Sequence, residues 1–321
     1  MLSWARERVR SVYERHLERE ISESPTHVAV IQDGNRRYAR EQGHDDPTDG
    51  HVEGAETTQQ LLKWCYDVGV EELTLYAFST ENFDRPAAER ERLFDLLKEK
   101  LVEFADAEEI HENEVNIRGL GDVQRLPERA REAVEYAEER TEGYDRFRLN
   151  IALAYGGRFE LLSAARTIAG DVDDGCLDPE DIDVGTVEDC LYGRPIRDVD
   201  LIIRTGGDER TSNFLPWHAN GNEAAAFFCA PYWPEFSKTD FLRGIRTWEN
   251  RENSWRRTRA ERALALMKAL GDEAEGEASD RLGERVDLPE ARAVVRRFRE
   301  HLPRSERPPA PEDEGERRAA D

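Results

Sequence analysis

Asp33-Gly34-Asn35-Arg36-Arg37 sets one carboxylate and two guanidiniums on a single short stretch of chain. A carboxylate is a hard oxygen ligand for a divalent cation, and a guanidinium forks onto phosphate oxygens. Together they suit a diphosphate that carries its own cation. The apolar run Val28 to Ile31 precedes them and reads as a buried strand. Asp-Gly-Asn is turn chemistry, and Arg36 to Gln42 reads as the first turns of a helix. Such a strand–turn–helix corner is where open α/β sheets bind ligands, and a helix N-terminus offers free N–H groups to an anion. The same residues could equally form an Asx-turn with a surface ion pair, and this stretch alone does not choose.

Other strand ends carry the same kind of residue. Val70 to Phe78 runs into Ser79-Thr80-Glu81-Asn82-Phe83-Asp84-Arg85-Pro86. A strand at 115–119 ends at Gly121-Asp122, and Phe147 to Ala154 ends at Tyr155-Gly156-Gly157-Arg158. Asp200 to Arg204 runs into Thr205-Gly206-Gly207-Asp208-Glu209-Arg210-Thr211-Ser212-Asn213. Collected, these corners and their neighbours supply Asp33, Asn35, Arg36, Arg37, His51, Ser79, Asn82, Arg85, Arg204, Arg210, Ser212 and Glu223. That is more cation than one phosphate group needs, and two diphosphates would use it. Ordinary surface ion pairs are the alternative, each contributing ~0–1 kcal/mol. They leave unexplained why the arginines sit beside glycine-rich strand ends, whose N–H groups also face an anion. There is no GxxxxGK[ST], no GxGxxG after the first strand and no nucleophile elbow.

Strands that alternate with helices imply βαβ units and right-handed crossovers, which bring every strand's C-terminal end to one edge. The expected fold is α/β: a single domain with a mostly parallel central β-sheet flanked by helices, plus helical N- and C-terminal extensions. Because the polar corners must converge, one catalytic domain over 24–250 is expected. Residues 1–23 form an amphipathic helix whose stripe of Trp4, Val9, Val12, Tyr13, Leu17 and Ile21 reads as a packing face, or less readily as a membrane-surface face. Helices are expected through about Tyr66, over 87–105, over 127–140 and from Phe159, with an acidic, turn-rich loop at 171–185. A sixth strand spans Ala224 to Cys229. Beyond it come a helical extension over 251–303, opening on a basic helix from Arg251, and a Pro-, Glu- and Arg-rich disordered tail over 304–321.

The net charge of −24 over 321 residues repels phosphate backbones, so no nucleic-acid partner is expected. Lysine is confined to Lys63, Lys98, Lys100, Lys238 and Lys268, and acids abound, a balance resembling that of salt-adapted cytoplasm. The four cysteines form no CxxC pair and read as reduced core thiols. No apolar run approaches the ~20 residues of a membrane span, and no signal-peptide core opens the chain. The expected location is cytoplasmic.

Five motifs in this order resemble the cis-prenyltransferases, the undecaprenyl (polyprenyl) diphosphate synthases. They are His27 to Ala39, Gly50-His51 with Gly54, Phe78 to Pro86, Asn150 with Tyr155 to Arg158, and Asp200 to Trp217 followed by Glu223 and Trp233 to Phe236. The resemblance implies repeated condensation of isopentenyl diphosphate onto an allylic diphosphate, geranylgeranyl or farnesyl, with new cis double bonds. It implies Mg²⁺ on Asp33 and Glu223. It places Gly34, Asn35, Arg36, Arg37, Tyr38 and His51 at the allylic diphosphate, and Arg204, Arg210, Thr211 and Ser212 at the isopentenyl diphosphate. Asn82 stands where the family has its proposed proton acceptor, so the resemblance implies Asp33 and Asn82 as the catalytic residues. Ser79, Thr80, Glu81, Phe83 and Arg85 are its substrate-contacting neighbours. Helix faces at 57–66 and 87–105 would line an apolar tunnel. A homodimer formed near 235–257, peripheral membrane contact at product release and a dolichol-type product are also implied.

The chain departs from the bacterial pattern at Arg36, Tyr38 and Phe83, which replace Gly, Trp and Trp, and mildly at Asp208, which replaces Glu. More consequentially, bacterial members carry an arginine shortly before the Gly-His pair, where this chain has the acidic Gly43-His-Asp-Asp-Pro-Thr-Asp49. That exchange bears on primer preference. Two other readings are a non-catalytic accessory subunit of the same fold and a diphosphate-ligand binding protein.

Overall fold

Six short runs rich in Val, Ile, Leu and Phe pair side by side, all parallel, in the computed structural model. It describes residues 2–191, 196–219 and 224–258, with backbone alone for 2–7. The strands are β1 (His27–Ile31), β2 (Glu72–Tyr76), β3 (Val115–Leu120), β4 (Phe147–Ala152), β5 (Leu201–Arg204) and β6 (Ala225–Phe228), in the order β3-β4-β2-β1-β5-β6. The helices are α1 (Leu2–Glu20), α2 (Asn35–Gln42), α3 (Asp49–Val68), α4 (Ala87–Asp106), α5 (Glu108–Glu112), α6 (Glu128–Arg140), α7 (Gly157–Asp173) and α8 (Val184–Cys190). A further helix, α9, covers residues 238–258.

The central strands β1 and β5 are buried on both faces, which is why their runs are nearly continuous in apolar residues. Along β1 the side chains alternate. Val28 and Val30 join one core with Leu61, Leu73, Phe104, Phe241 and Ile245. Ala29 and Ile31 join a second core with Ile202, Tyr155, Phe214 and Leu215. Each fully buried large side chain contributes ~1.5–3 kcal/mol.

One polar strip crosses the buried sheet. His27 Nδ1 donates to the Arg197 carbonyl at 2.8 Å and its Nε2 accepts from Thr74 Oγ1 at 2.8 Å. Asn150 Nδ2 donates to Glu72 Oε1 at 2.7 Å and to Thr74 at 3.1 Å. Burial holds the His27 imidazole below its ordinary value, against the pull of Glu72. The His27 and Asn150 positions of the motifs are therefore sheet-building groups that register β1, β2 and β4.

The chain turns back on itself at β1. β2 pairs on one side of it and β5 on the other, with Ile31 opposite both Tyr76 and Arg204. This is the topological switch point, where a crevice opens outside the carboxyl ends of the strands.

The chain divides into two compact units, Met1–Asn253 and Ser254–Asp321, and the sheet lies in the first. Four expectations are corrected. The 171–185 segment contains the end of α7, a 3₁₀ turn at Pro179–Asp181 and the start of α8, whose cap Asp183 accepts from Thr186 N at 2.9 Å. Helical backbone already begins at residue 238, so 251 opens no new helix. Among the described side chains of the N-terminal stripe, Leu17 is buried and Ile21 packs half-buried against the core, while Val9, Val12 and Tyr13 are 69%, 55% and 42% exposed. Cys65 and Cys229 are core thiols, but Cys176 is exposed and Cys190 half-buried. Residues 259–303 and the expected tail at 304–321 lie outside the described residues. No described helix is long and apolar enough to cross a membrane.

Candidate active site

β1 ends at Ile31, and Gly34 then takes φ 102° to enter α2 directly. That angle favours glycine, and a Cβ there would also stand 2.5 Å from the Tyr232 ring. The tight turn presents Asp33 beside the end of β5. Arg204 Nη2 donates to Asp33 Oδ2 at 2.6 Å, bridging the switch point. Arg37 Nη2 lies 3.3 Å from Asp33 Oδ1, which also accepts from Gly34 N at 2.7 Å.

Arg204 is only 3% exposed and orders the loop behind it. Its Nη1 donates to the Arg210 carbonyl at 2.7 Å and to Ser212 Oγ at 2.5 Å. Ser212 and Asn213 adopt φ 49° and 58°, left-handed conformations that this clamp holds. Arg210 reaches Asp208 at 3.1 Å.

Across the crevice, Arg85 comes from the 3₁₀ turn Thr80–Asp84. Asn82 Oδ1 accepts from Ser79 N at 2.9 Å and so closes that turn. Arg85 Nη1 donates to Glu89 at 2.9 Å and lies 3.5 Å from His51 Nε2. Arg36 Nε lies 3.3 Å from the same Glu89 carboxylate. Burial, with Arg85 and Arg36 nearby, pushes the His51 imidazole down to about 3, so it is neutral at physiological pH.

These groups enclose a polar cavity of about 330 Å³, lined by Asp33, Gly34, Asn35, Arg36, Arg37, Arg40, His51, Arg85, Asp208 and Arg210. An apolar cavity of about 130 Å³ adjoins it between α3, α4 and the sheet, lined by Ala55, Leu93, Leu96, Leu97, Leu101 and Phe104 among others. Gln32, Asn35 and His51 line both.

The expected residues separate into three groups. Asp33, Gly34, Asn35, Arg36, Arg37, His51, Arg85 and Arg210 line the polar cavity. Arg204 and Ser212 stand behind Asp33. Ser79, Thr80, Glu81, Asn82, Phe83 and Thr211 line neither cavity. Phe83 instead packs edge-on against Phe78, with the Arg125 guanidinium 4.5 Å from its ring. Tyr38 donates to Glu53 at 2.6 Å and also lies off the cavity. Glu223 lies outside the described residues.

Sequence reasoning missed Glu89, whose side chain is 10% exposed and which pairs two of the arginines. Its signal was its spacing, four residues after Arg85 in the first turn of α4. It also missed Tyr232, whose ring lies 5.3 Å from the Arg37 guanidinium and whose hydroxyl donates to Glu41 at 2.6 Å. The Trp-Pro-Glu-Phe turn is a clamp: Trp233 N donates to Asp33 O at 3.0 Å, and its Nε1 donates to Gly54 O at 2.7 Å.

Gly50 lets α3 cross against α2, since a Cβ there would lie 2.1 Å from the Asn35 carbonyl oxygen. Alanine in a helix gains up to ~1 kcal/mol over glycine, whereas overpacking costs ~1–3 kcal/mol. The clash should win. Gly50→Ala is expected to lower the melting temperature by several degrees, measured by circular dichroism, and to lower activity by displacing Asn35. A raised melting temperature would contradict the packing.

Two described carboxylates line the polar cavity, Asp33 and Asp208, and each is paired with arginines that a bound cation would have to displace or share. No cluster of three or more His, Cys, Asp or Glu suited to a metal occurs among the described residues. The chemistry of the donors present, one or two carboxylate oxygens beside a diphosphate-sized polar cavity, is of the kind Mg²⁺ takes together with substrate phosphates.

Residues 31–256 match the family model described as putative undecaprenyl diphosphate synthase. The chain is 62% identical over 312 residues to the tritrans,polycis-undecaprenyl-diphosphate synthase (geranylgeranyl-diphosphate specific) of Halobacterium salinarum, covering 97% of each. The protein of the same name from Haloarcula marismortui is 58% identical over 307 residues, 96% of each. Among solved structures, lavandulyl diphosphate synthase from Lavandula x intermedia in complex with dimethylallyl diphosphate superposes with a TM-score of 0.63. It is 31% identical and matches 70% of this chain and 95% of its own. A probable undecaprenyl diphosphate synthase from Campylobacter jejuni gives 0.57 at 32% identity, over 72% of this chain and 97% of its own.

Proposed function

The chain belongs to the undecaprenyl diphosphate synthase family, the cis-prenyltransferases, and from that premise we propose that it repeatedly condenses isopentenyl diphosphate onto geranylgeranyl diphosphate. The product is a long-chain polyprenyl diphosphate, precursor of a glycosyl carrier lipid. The observation that carries this reading is the sharing of Gln32, Asn35 and His51 between a cation-lined cavity and an apolar one. A diphosphate head and a hydrocarbon tail need that adjacency.

Condensation breaks the allylic C–O bond and forms a bond from the isopentenyl double bond to the allylic carbon. Diphosphate leaves with the bonding pair, and a proton is lost from the isopentenyl chain. Arg36, Arg37 and Arg85 neutralise the charge that grows on the leaving diphosphate, and preorganised donors of this kind cost no reorganisation during the reaction. Asp33, with Glu223 as second carboxylate, would hold Mg²⁺, which when bound supplies further charge neutralisation to diphosphate. Arg204, Arg210 and Ser212 seat the isopentenyl diphosphate. The amide oxygen of Asn82 already accepts from Ser79 N, so the departing diphosphate is the better proton acceptor. Leu93, Leu97, Leu101 and Phe104 keep water from the cationic fragment. Delivery of so apolar a product to a membrane surface belongs to the same reading, and the exposed Val9, Val12 and Tyr13 support it.

Purified protein given labelled isopentenyl diphosphate, Mg²⁺ and each allylic primer tests this. Solvent-extractable label is expected with geranylgeranyl diphosphate above farnesyl diphosphate. No extractable label with any primer rejects the enzyme and leaves a diphosphate-binding protein.

A further inference from the structure

The polar cavity is lined by five guanidiniums, and four are already partnered. Arg36 and Arg85 share Glu89, Arg37 faces Asp33, and Arg210 faces Asp208. Arg40 lies within 4.0 Å of no carboxylate among the described residues, although it lines the same cavity. Its Nε donates to the Arg36 carbonyl, one turn back, at 3.2 Å. That bond draws the side chain toward the start of α2, where Asp33 and Gly34 stand.

The acidic segment ahead of Gly50-His51 leaves the cavity open to this cation. The Asp46 carboxylate pairs with Arg92 and also accepts from Thr48 N at 2.9 Å. Asp49 pairs with His44 at 3.3 Å. Neither aspartate lines the cavity. The place that holds an arginine in the bacterial pattern thus holds Asp45, Asp46 and Asp49, none of which lines the cavity, and a guanidinium one helical turn past Arg36 stands without a carboxylate partner among the described residues.

We propose that Arg40 is a substrate-binding residue that contacts the diphosphate of the allylic primer and supplies the charge missing from the 44–49 segment. This rests on the prenyltransferase reading above. A carboxylate-paired arginine must exchange partners to take a phosphate, whereas Arg40 need not. Its contribution is therefore to affinity for the primer, not to the reacting carbon.

Arg40→Gln and Arg40→Lys test it in the full chain. One charge-assisted hydrogen bond is worth roughly tenfold in affinity. Arg40→Gln is expected to raise the KM for geranylgeranyl diphosphate about tenfold, with kcat and the KM for isopentenyl diphosphate within about twofold. Inhibition by inorganic pyrophosphate, competitive with the primer, should weaken by the same factor, and Arg40→Lys should recover most of both. Unchanged primer KM and pyrophosphate inhibition overturn the proposal. So does a rise confined to the KM for isopentenyl diphosphate, or a fall in melting temperature that accounts for the loss. If the wild-type chain turns over no primer at all, the prenyltransferase reading itself fails, and pyrophosphate affinity measured by calorimetry still decides the role of Arg40.

Discussion

Asp33→Asn is expected to lower turnover at least about a thousandfold while the protein stays folded. Asparagine keeps the shape of the side chain and can still accept from Gly34 N, now at 2.7 Å from Oδ1. What it removes is the charge facing Arg204 at 2.6 Å and Arg37 at 3.3 Å, and with it the carboxylate proposed for Mg²⁺. Metal-assisted charge neutralisation is worth several kcal/mol, and about 1.4 kcal/mol is a factor of ten. Three orders of magnitude is thus the size to expect from losing it. The side chain of Arg204 would lose its shortest carboxylate partner and keep Asp208 at 3.3 Å. Some loss of stability should follow, to be measured by thermal denaturation and kept apart from the chemistry. The decisive measurement is diphosphate affinity with and without Mg²⁺. In the wild type Mg²⁺ should tighten binding, and in Asp33→Asn it should not. A variant with more than a tenth of normal turnover, or with binding still tightened by Mg²⁺, would remove Asp33 from the metal site.

How much of this could be read from the chain differs by residue. Strands that alternate with helices announced a parallel sheet, and the apolar runs at 28–31 and 201–203 marked its doubly buried centre. The topology then carried Asp33 and Arg204, far apart in sequence, to adjacent strand ends. Partner choice was not legible. Asn82 could have faced substrate or closed its own turn, and only coordinates reveal the bond to Ser79 N. Tyr38 follows the arginines directly, yet helical geometry turns it toward Glu53. The acids at 44–49 read as a loss of phosphate-binding charge. Arg92, brought up by α4, takes one of them out of that role. The α1 stripe obeys helical periodicity throughout, but periodicity cannot say where the neighbouring packing surface stops, and here cover is lost between Leu17 and Tyr13.

The second large effect concerns Arg204. Arg204→Lys keeps one positive charge at a 3% exposed position, so Asp33 keeps a second cation beside Arg37. It removes the planar fork, which a lysine ammonium cannot reproduce. In the wild type that fork serves Asp33 and Asp208 through Nη2, and the Arg210 carbonyl and Ser212 Oγ through Nη1. One ammonium on a flexible stem cannot reach both sides of the switch point. The left-handed residues Ser212 and Asn213 should then relax, since nothing else described here holds Ser212 Oγ. Hydrogen bonds to charged groups are each worth ~1.5–3 kcal/mol, and at least two are lost. We expect kcat/KM for isopentenyl diphosphate to fall a hundredfold or more, against less than tenfold in the KM for the primer. Ser212→Ala, which removes one acceptor and leaves the guanidinium in place, should show the same preference for isopentenyl diphosphate at roughly a tenth of that effect. Equal losses toward both substrates in Arg204→Lys would mean that Arg204 acts through Asp33 alone, and the assignment of the 204–212 loop to isopentenyl diphosphate would fall.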